Sequence, residues 1–435
     1  MTTIYWFRRD RRLSDNPALA TATASDKTLL PLTLLEREQN TSWGFPRLGR
    51  HRHTFEAQAL AGLARDLTSL GSALYQPEIP GIDGLIDVAK RNKAGLIVCE
   101  EIHAPEEQQA LKTLREAGLT VSTVEQSALL PHRHLPFEVD ETPKIFSEFR
   151  RLVEKSNARP RSTLPTIHTL PPLPDRIKAA NPWNQLAQAC RVDTHPDAYP
   201  EARSSFLYQA PSWHGDETSA QNHLRQYFSS DRPQRYKQTR NALSGTDDST
   251  KFSPWLAVGA VSAAQIWDAL KDHEHRCGAN DSTYWIWFEL LWRDHFRLMM
   301  QRFGTQLFHR SGLTQQNKSG AVFSAEGFER WRIAQTGHDL IDAGMRELAA
   351  TGYLSNRMRQ IVASYLIHEM QGDWLAGAAW FEHCLIDFDV HSNQGNWAYI
   401  AGVGTDPRGG RRFNPDKQAA EHDTNGQYRK LWSAA

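Results

Sequence analysis

With 435 residues and a formal net charge of zero, from 50 Lys and Arg against 50 Asp and Glu, the chain is not built to coat nucleic acid by bulk electrostatics. A local basic groove stays open to it, and its length allows two domains. Apolar runs such as "TLLPLTLL" near residue 30 are far too short to span a bilayer, and "MTTIYWFRRD" carries charges where a signal peptide would be apolar, so a cytoplasmic protein is expected.

The first 125 residues alternate between two periods. "TIYWFRR", "TLLPLTLL", "SALYQ", "AGLIVCEE" and "LTVSTVE" read as strands, and the stretches 51–71, 84–93 and 105–118 as helices. Strands alternating with helices imply right-handed crossovers and a mostly parallel, doubly wound sheet. After the first strand comes "RRDRRLSDNP", with Ser14 or Asp15 as helix cap and Pro17 in the first turn. Neither GxGxxG nor GxxxxGK[ST] occurs, so no dinucleotide fingerprint or P-loop is present.

From about 126 to 200 the pattern weakens and prolines gather, as in "RPRSTLPTIHTLPPLPD", which reads as a connection over the surface. Beyond 215 helical spacing dominates. The expected organisation is an α/β doubly wound domain over 1–130, a linker over 131–205 and an all-α domain over 206–435. Four cysteines, Cys99, Cys190, Cys277 and Cys384, lie apart with no CxxC pair, which fits a reducing compartment and no structural metal. Of 14 tryptophans, ten follow residue 250. Most would be core, but the number raises the prospect of an aromatic-binding or redox-active second half.

Four segments hold the chemistry. In "YKQTRNALSGTDDSTKFSPWLAVGAVS" (236–262), Ser249, Thr250, Lys251 and Ser253 crowd before Pro254, as in a phosphate cradle or a simple helix cap. In "FELLWRDHF", Glu289, Trp292, Arg293 and Phe296 fall on one helical face. In "TGYLSNRMRQIVAS", Asn356, Arg359 and Gln360 share a face, with Arg357 turned aside. Finally "CLIDFDVHSNQGNW" sets Asp387, Asp389, His391 and Asn393 at alternate positions, like a calcium loop. An EF-hand needs glycine at its sixth position and glutamate at its twelfth, where this chain has Ser392 and Ala398, so the metal reading fails. No GxSxG or HExxH suggests a hydrolase.

Together and in this order, "STKFSPWLAVG", "DSTYWIWFELLWRD", "MRELAATGYLSNRMRQ", "DWLAGAAWFEHCLIDFDVHSN" and "GNWAYIAGVGTDPR" followed by "RFNPDKQA" resemble the photolyase/cryptochrome family, most closely its DASH-type cryptochromes. The resemblance implies an N-terminal α/β antenna domain and an all-α domain holding FAD in a U-shaped form. It also implies a deoxyribodipyrimidine photolyase-type lyase: excited reduced FAD passes an electron to a cyclobutane pyrimidine dimer, preferentially in single-stranded DNA. The alternative is a blue-light photoreceptor that binds FAD and nucleic acid without repair. A monomer and no membrane partner are expected.

Residue by residue, the resemblance assigns Tyr236, Ser249, Thr250, Lys251, Phe252 and Ser253 to the FAD diphosphate and ribityl chain. Asn356, Arg359, Asp387 and Asp389 surround the isoalloxazine ring, and Asn393 faces its N5. Glu289 and Trp292 match the lesion pocket, and Arg240, Arg293, Arg357 and Gln418 its backbone or rim contacts. Gln360 and Tyr399 stand beside the lesion, and Asn356 borders the DNA side as well. Trp397 and Trp374 match the two inner tryptophans that reduce the flavin. The distal one would fall at Ala321, and Phe323 nearby is too hard to oxidise. Glu101 or Glu107 corresponds to the acid that binds a folate antenna (5,10-methenyltetrahydrofolate) in related proteins.

Overall fold

Strand β1 (Thr2–Phe7) is buried along its whole length, as the centre of a parallel sheet requires. Beside it lie β2 (Thr28–Thr33) and β3 (Ala94–Glu100), with β4 (Val121–Val124) outermost, in the order β2-β1-β3-β4 and parallel throughout. This is a computed structural model, and it describes residues 2–25, 28–34, 39–178, 201–314, 324–405 and 409–433. Helices Pro17–Ser25, Arg50–Ser69, Ile82–Arg91 and Pro105–Glu116 make the connections. The doubly wound sheet is as the alternating periods predict.

"SALYQ" differs from expectation: it forms only a bridge, Leu32 to Tyr75, rather than a fifth strand. Pro31 explains this. Its carbonyl accepts from the Tyr75 N–H at 2.8 Å, and on the same edge it has no N–H to give back, so the ladder cannot lengthen. Within the expected linker, residues 158–174 lack helix and strand, as their prolines dictate. Earlier in that segment, however, Phe146–Lys155 is an amphipathic helix that buries Phe146, Phe149 and Val153 in the helical core.

Past residue 205 the described residues contain no strand. The longest helix, Asp281–Phe303, starts from a capping box between Asn280 and Thr283. It packs against Arg232–Thr239 on one side and Val390–Ala401 on the other. Helices Asp339–Thr351, Asn356–Ser364 and Trp374–Cys384 complete the wall behind them.

The loop after β1 docks the sheet onto these helices. Arg12 Nη1 donates to the Gly259 carbonyl at 3.0 Å, and the Glu217 carboxylate accepts from the Leu13 and Ser14 amides at 2.6 and 3.0 Å. Asp15 is fully buried and takes Arg161 Nη2 at 2.8 Å and the Ser262 hydroxyl at 2.5 Å. The predicted caps, Ser14 and Asp15, are thus committed to the other half of the protein. Asn16 caps Pro17–Ser25 instead, its Oδ1 accepting from the Leu19 amide at 3.0 Å.

Gly259 ends helix Ser253–Val258 at φ 76°, and a Cβ there would overlap the Arg9 carbonyl and Asp10 Cα. Gly71 has a similar φ of 72° but open space around it. Gly71→Ala should therefore cost only the left-handed strain of about 1–2 kcal/mol. Gly259→Ala should lower the thermal midpoint substantially further, and comparing the two melting curves checks that the seam is this tight.

Candidate functional site

The two carboxylates of "CLIDFDVHSN" are used differently. Asp389 caps helix Val390–Ala401 through the Ser392 amide at 2.9 Å, and its other oxygen takes Arg297 Nη2 at 2.8 Å and His391 Nδ1 at 3.4 Å. Burial raises its carboxyl, but Arg297, His391 and Arg293 outweigh that and hold it well below the usual carboxylate range. These three contacts orient Asp389 within the protein. Asp387 takes Arg359 Nη2 at 2.8 Å, in accord with the expected pairing, while its second oxygen is buried with no hydrogen-bond partner among the described residues. Arg359 is aimed by the Leu354 carbonyl at 2.9 Å and lies 5.4 Å from the Tyr353 ring.

Tyr353 also faces Lys251, whose Nζ stands 5.0 Å from the ring centre. Lys251 is 4% exposed, at a positive φ of 56°, in the turn between Ser249 and Ser253. It makes no ion pair among the described residues. A buried ammonium without an anion is costly unless a ligand supplies one. His223 holds this turn by donating from Nε2 to the Thr250 carbonyl at 2.9 Å, and burial drives its pKa down to about 4, so the ring stays neutral. Phe252 and Tyr236 pack in the core beneath. Behind the turn, Glu347 accepts from Tyr428 at 2.5 Å and Ser205 at 3.2 Å, and burial pushes it up to about 7 against the pull of Tyr428 and Lys251.

On the far side, helix Asp281–Phe303 divides its faces. Arg240 pairs with Glu289 while its guanidinium sits 4.1 Å from the Trp285 ring centre. Burial raises the Glu289 carboxyl, and Arg240 only partly opposes this. Trp292 stacks on Phe146 with centroids 3.7 Å apart and meets Tyr399 nearly at right angles, at 5.7 Å and 78°. The Tyr399 oxygen accepts from Arg411 Nη2 at 2.7 Å. Arg357 donates to Asn241 at 2.9 Å, Gln360 is half-buried, and Asn356 is exposed at the start of its helix.

Arg293 does not join this group. It shares a stripe with Asp294 and Arg297 that faces the sheet domain, where it donates to the Ser127 carbonyl while Asp294 accepts from the Leu129 and Leu130 amides at 2.9 and 2.8 Å. Burial, with Arg297 beside it, lowers the Arg293 pKa to about 10. The expected rim contact is thus an inward seam contact. Gln418 is buried, with Nε2 on Glu421 at 3.4 Å and Oε1 unpartnered. Its helix, Pro415–His422, packs on Asp339–Thr351.

Trp397 is 2% exposed and fits against Gly377, where a Cβ would overlap the indole. Asn393 donates from Nδ2 to the Ala378 carbonyl at 3.0 Å, and Trp374 from Nε1 to the Arg310 carbonyl at 3.2 Å. Ala321 and Phe323 lie outside the described residues. Glu101 lines a seam cavity of about 20 Å³ with His103, His132, Asp294 and Arg297. That is room for one water, so a folate there requires the surrounding side chains to part. Glu107 lies close enough to act electrostatically on His391.

Phe146, His223, Arg297 and Glu347 were not singled out in the sequence. Each acts through a partner far along the chain, and only the linker helix of Phe146 left a local sign, an apolar pair three residues apart.

The description "DNA photolyase" matches residues 3–172, and "FAD binding domain of DNA photolyase" matches residues 285–434. The cryptochrome DASH of Idiomarina loihiensis is 37% identical over 436 residues, covering 99% of this chain and 92% of that protein. That of Gloeobacter violaceus is 38% identical over 99% of this chain and 85% of its own length. The crystal structure of Synechocystis sp. PCC6803 cryptochrome superposes with a TM-score of 0.88 at 35% identity, over 99% of this chain and 88% of that one. A bacterial class III photolyase from Agrobacterium tumefaciens gives 0.78 at 25% identity, over 99% and 86%.

Because Asp387 is buried and already lacks a partner on one oxygen, Arg359→Ala should cost about 3–5 kcal/mol in denaturant unfolding. Adding Asp387→Asn should recover part of that loss. Additive losses would show that the pair is not coupled.

Proposed function

The chain belongs to the photolyase/cryptochrome family and carries its FAD-binding domain, and on that premise we propose that it splits cyclobutane pyrimidine dimers in light, with preference for single-stranded DNA. The observation that carries this reading is the corner that Trp292 and Tyr399 make at 78°, with Glu289 and Arg240 beside it. Two flat walls at that angle fit the two splayed rings of a dimer, and the half-buried carboxyl of Glu289, raised by burial, is placed to hydrogen-bond a pyrimidine edge.

FAD fits the residues present. Buried Lys251, which makes no ion pair among the described residues, would with Ser249, Thr250 and Ser253 take the diphosphate, and Tyr236 and Phe252 would pack beneath it. Asn356, Arg359 and the orphaned oxygen of Asp387 would hold the isoalloxazine side, with Asn393 at N5. An amide there is neutral, and with Ala378 fixing its orientation it does not repel a negatively charged ring as a carboxylate would. When bound in its reduced form, FAD supplies the light-driven electron that opens the cyclobutane ring and then returns.

The protein's own part is to extract the lesion and hold it. Taking bases out of the stack costs a few kcal/mol, and each base stacked on an aromatic returns about 1–3 kcal/mol. A single strand spares most of the first cost, which favours it as substrate. On binding, Glu289 exchanges Arg240 for the dimer, and Arg240 is freed toward the backbone with Arg357, Gln360 and Gln418 around the rim. No nucleophile or general base is needed. The protein acts as a cytoplasmic monomer in this reading.

Illumination of reduced, FAD-loaded protein with a single-stranded oligonucleotide carrying one thymine dimer should restore both thymines, faster than with the same dimer in a duplex. No restored thymine at saturating protein would sink the repair reading and leave the photoreceptor. Trp292→Ala should weaken binding of the damaged strand by about 1–3 kcal/mol in a filter or fluorescence assay.

A further inference from the structure

Position 321, where the distal tryptophan of related chains would fall, is alanine, and Trp374 makes no ring contact among the described residues. Trp397 does have an indole neighbour. Trp331 meets it edge to face at 6.3 Å and 79°, and Phe381 touches both, at 5.0 Å from Trp397 and 6.4 Å from Trp331. We propose that Trp331 is the principal donor that refills Trp397 and that Trp380 is the outlet of this second branch. The proposal rests on the FAD reading above.

Trp331 is fully buried in helix Ala325–Arg332, and its Nε1 donates to the Val362 carbonyl at 3.0 Å. A carbonyl dipole on the indole N–H stabilises positive charge on that ring, so Trp331 can hold a hole. From it a file of rings leads outward. Phe328 stacks on Trp331 at 5.9 Å, Phe45 on Phe328 at 6.1 Å, and Trp380 meets Phe45 edge-on at 5.1 Å. The phenyl rings are too hard to oxidise and serve only to fill the gap between the two indoles with close contacts. Trp380 keeps 8% of its surface exposed, and His383 stacks on it at 4.8 Å. Arg332 also lies 4.8 Å from Trp380, and its charge would oppose a hole there. Glu329 answers it with two hydrogen bonds at 2.8 and 2.7 Å, which leaves little net charge over the ring.

The electron count closes. Trp397, having given one electron toward the flavin site, takes one from Trp331. Trp331 takes one from Trp380, and oxidised Trp380 takes one from a soluble thiol, which loses an electron and a proton and pairs to a disulfide.

The test uses FAD-loaded full-length protein with dithiothreitol and blue light, following the loss of flavin absorption and the transient absorption of oxidised tryptophan. Trp331→Phe should slow light-driven reduction on the order of tenfold or more, the factor that 1.4 kcal/mol of barrier produces. It should slow it more than Trp374→Phe does. Trp380→Phe should shorten the life of the tryptophan signal, because the hole then returns inward. The reverse order of Trp331 and Trp374 overturns the proposal. So does a Trp331→Phe protein whose FAD content and repair after dithionite reduction fall by the same factor as its photoreduction, since that marks a damaged pocket. If Trp331→Phe does not retain FAD, the Trp380→Phe lifetime decides, and an unchanged lifetime overturns the proposal. Photoreduction needs no DNA, so failure of repair and failure of this branch are read separately.

Discussion

Charge that is taken out of water must find its partner inside, and in this protein a decisive few of those partners lie in the other half of the chain. The loop after β1 carries Arg8, Asp10, Arg11, Arg12 and Asp15, all buried. Arg12 donates to the Asp15 carbonyl inside the loop and completes its set on Gly259, while the Asp15 carboxylate depends on Ser262, Arg161 and the Leu164 amide. Leaving one of them unpaired would cost several kcal/mol, so the sheet and the helices hold one fixed relation. The seam in turn aims Arg293, Asp294 and Arg297 inward, and Arg297 anchors Asp389, the cap of the helix that presents Asn393 and Trp397.

The same rule, left incomplete, marks the place for a ligand. Lys251 and Arg359 both approach the Tyr353 ring, and Asp387 pairs with Arg359 alone. Glu347, held near neutrality by burial, offers less than a full negative charge in return. A cluster with two cations beside hydroxyls and a carboxylate oxygen that has no partner among the described residues is suited to a diphosphate joined to a hydrogen-bonding ring system. The aromatic residues then divide the labour. Trp292, braced by Phe146, faces Tyr399, while Trp397, admitted by Gly377, faces the second file of rings that leads through Trp331.

Much of this was legible in the residues. The alternation of strand and helix periods, the face shared by Glu289 and Trp292, and the pairing of Arg359 with Asp387 need only local spacing and family likeness. Asp389 and Arg293 were legible as important but not in their contacts. Their protein partners, Arg297 for Asp389 and the Ser127 carbonyl for Arg293, come from other elements and leave no sign in the local spacing. Ser14 and Asp15 make the same point at smaller scale: either would cap a helix in isolation, but each has a stronger partner elsewhere.

What the sequence determined by itself is the set of local elements and the chemistry available on each, since helical and strand periods depend on neighbours a few residues apart. What only the tertiary structure decided is which of those groups remain free. Partners such as Glu217 for Leu13, Phe146 for Trp292 and Trp331 for Trp397 are separated by tens to hundreds of residues, and no periodicity reaches across that distance. A buried charge or an indole acquires its role from whichever group the packing brings beside it.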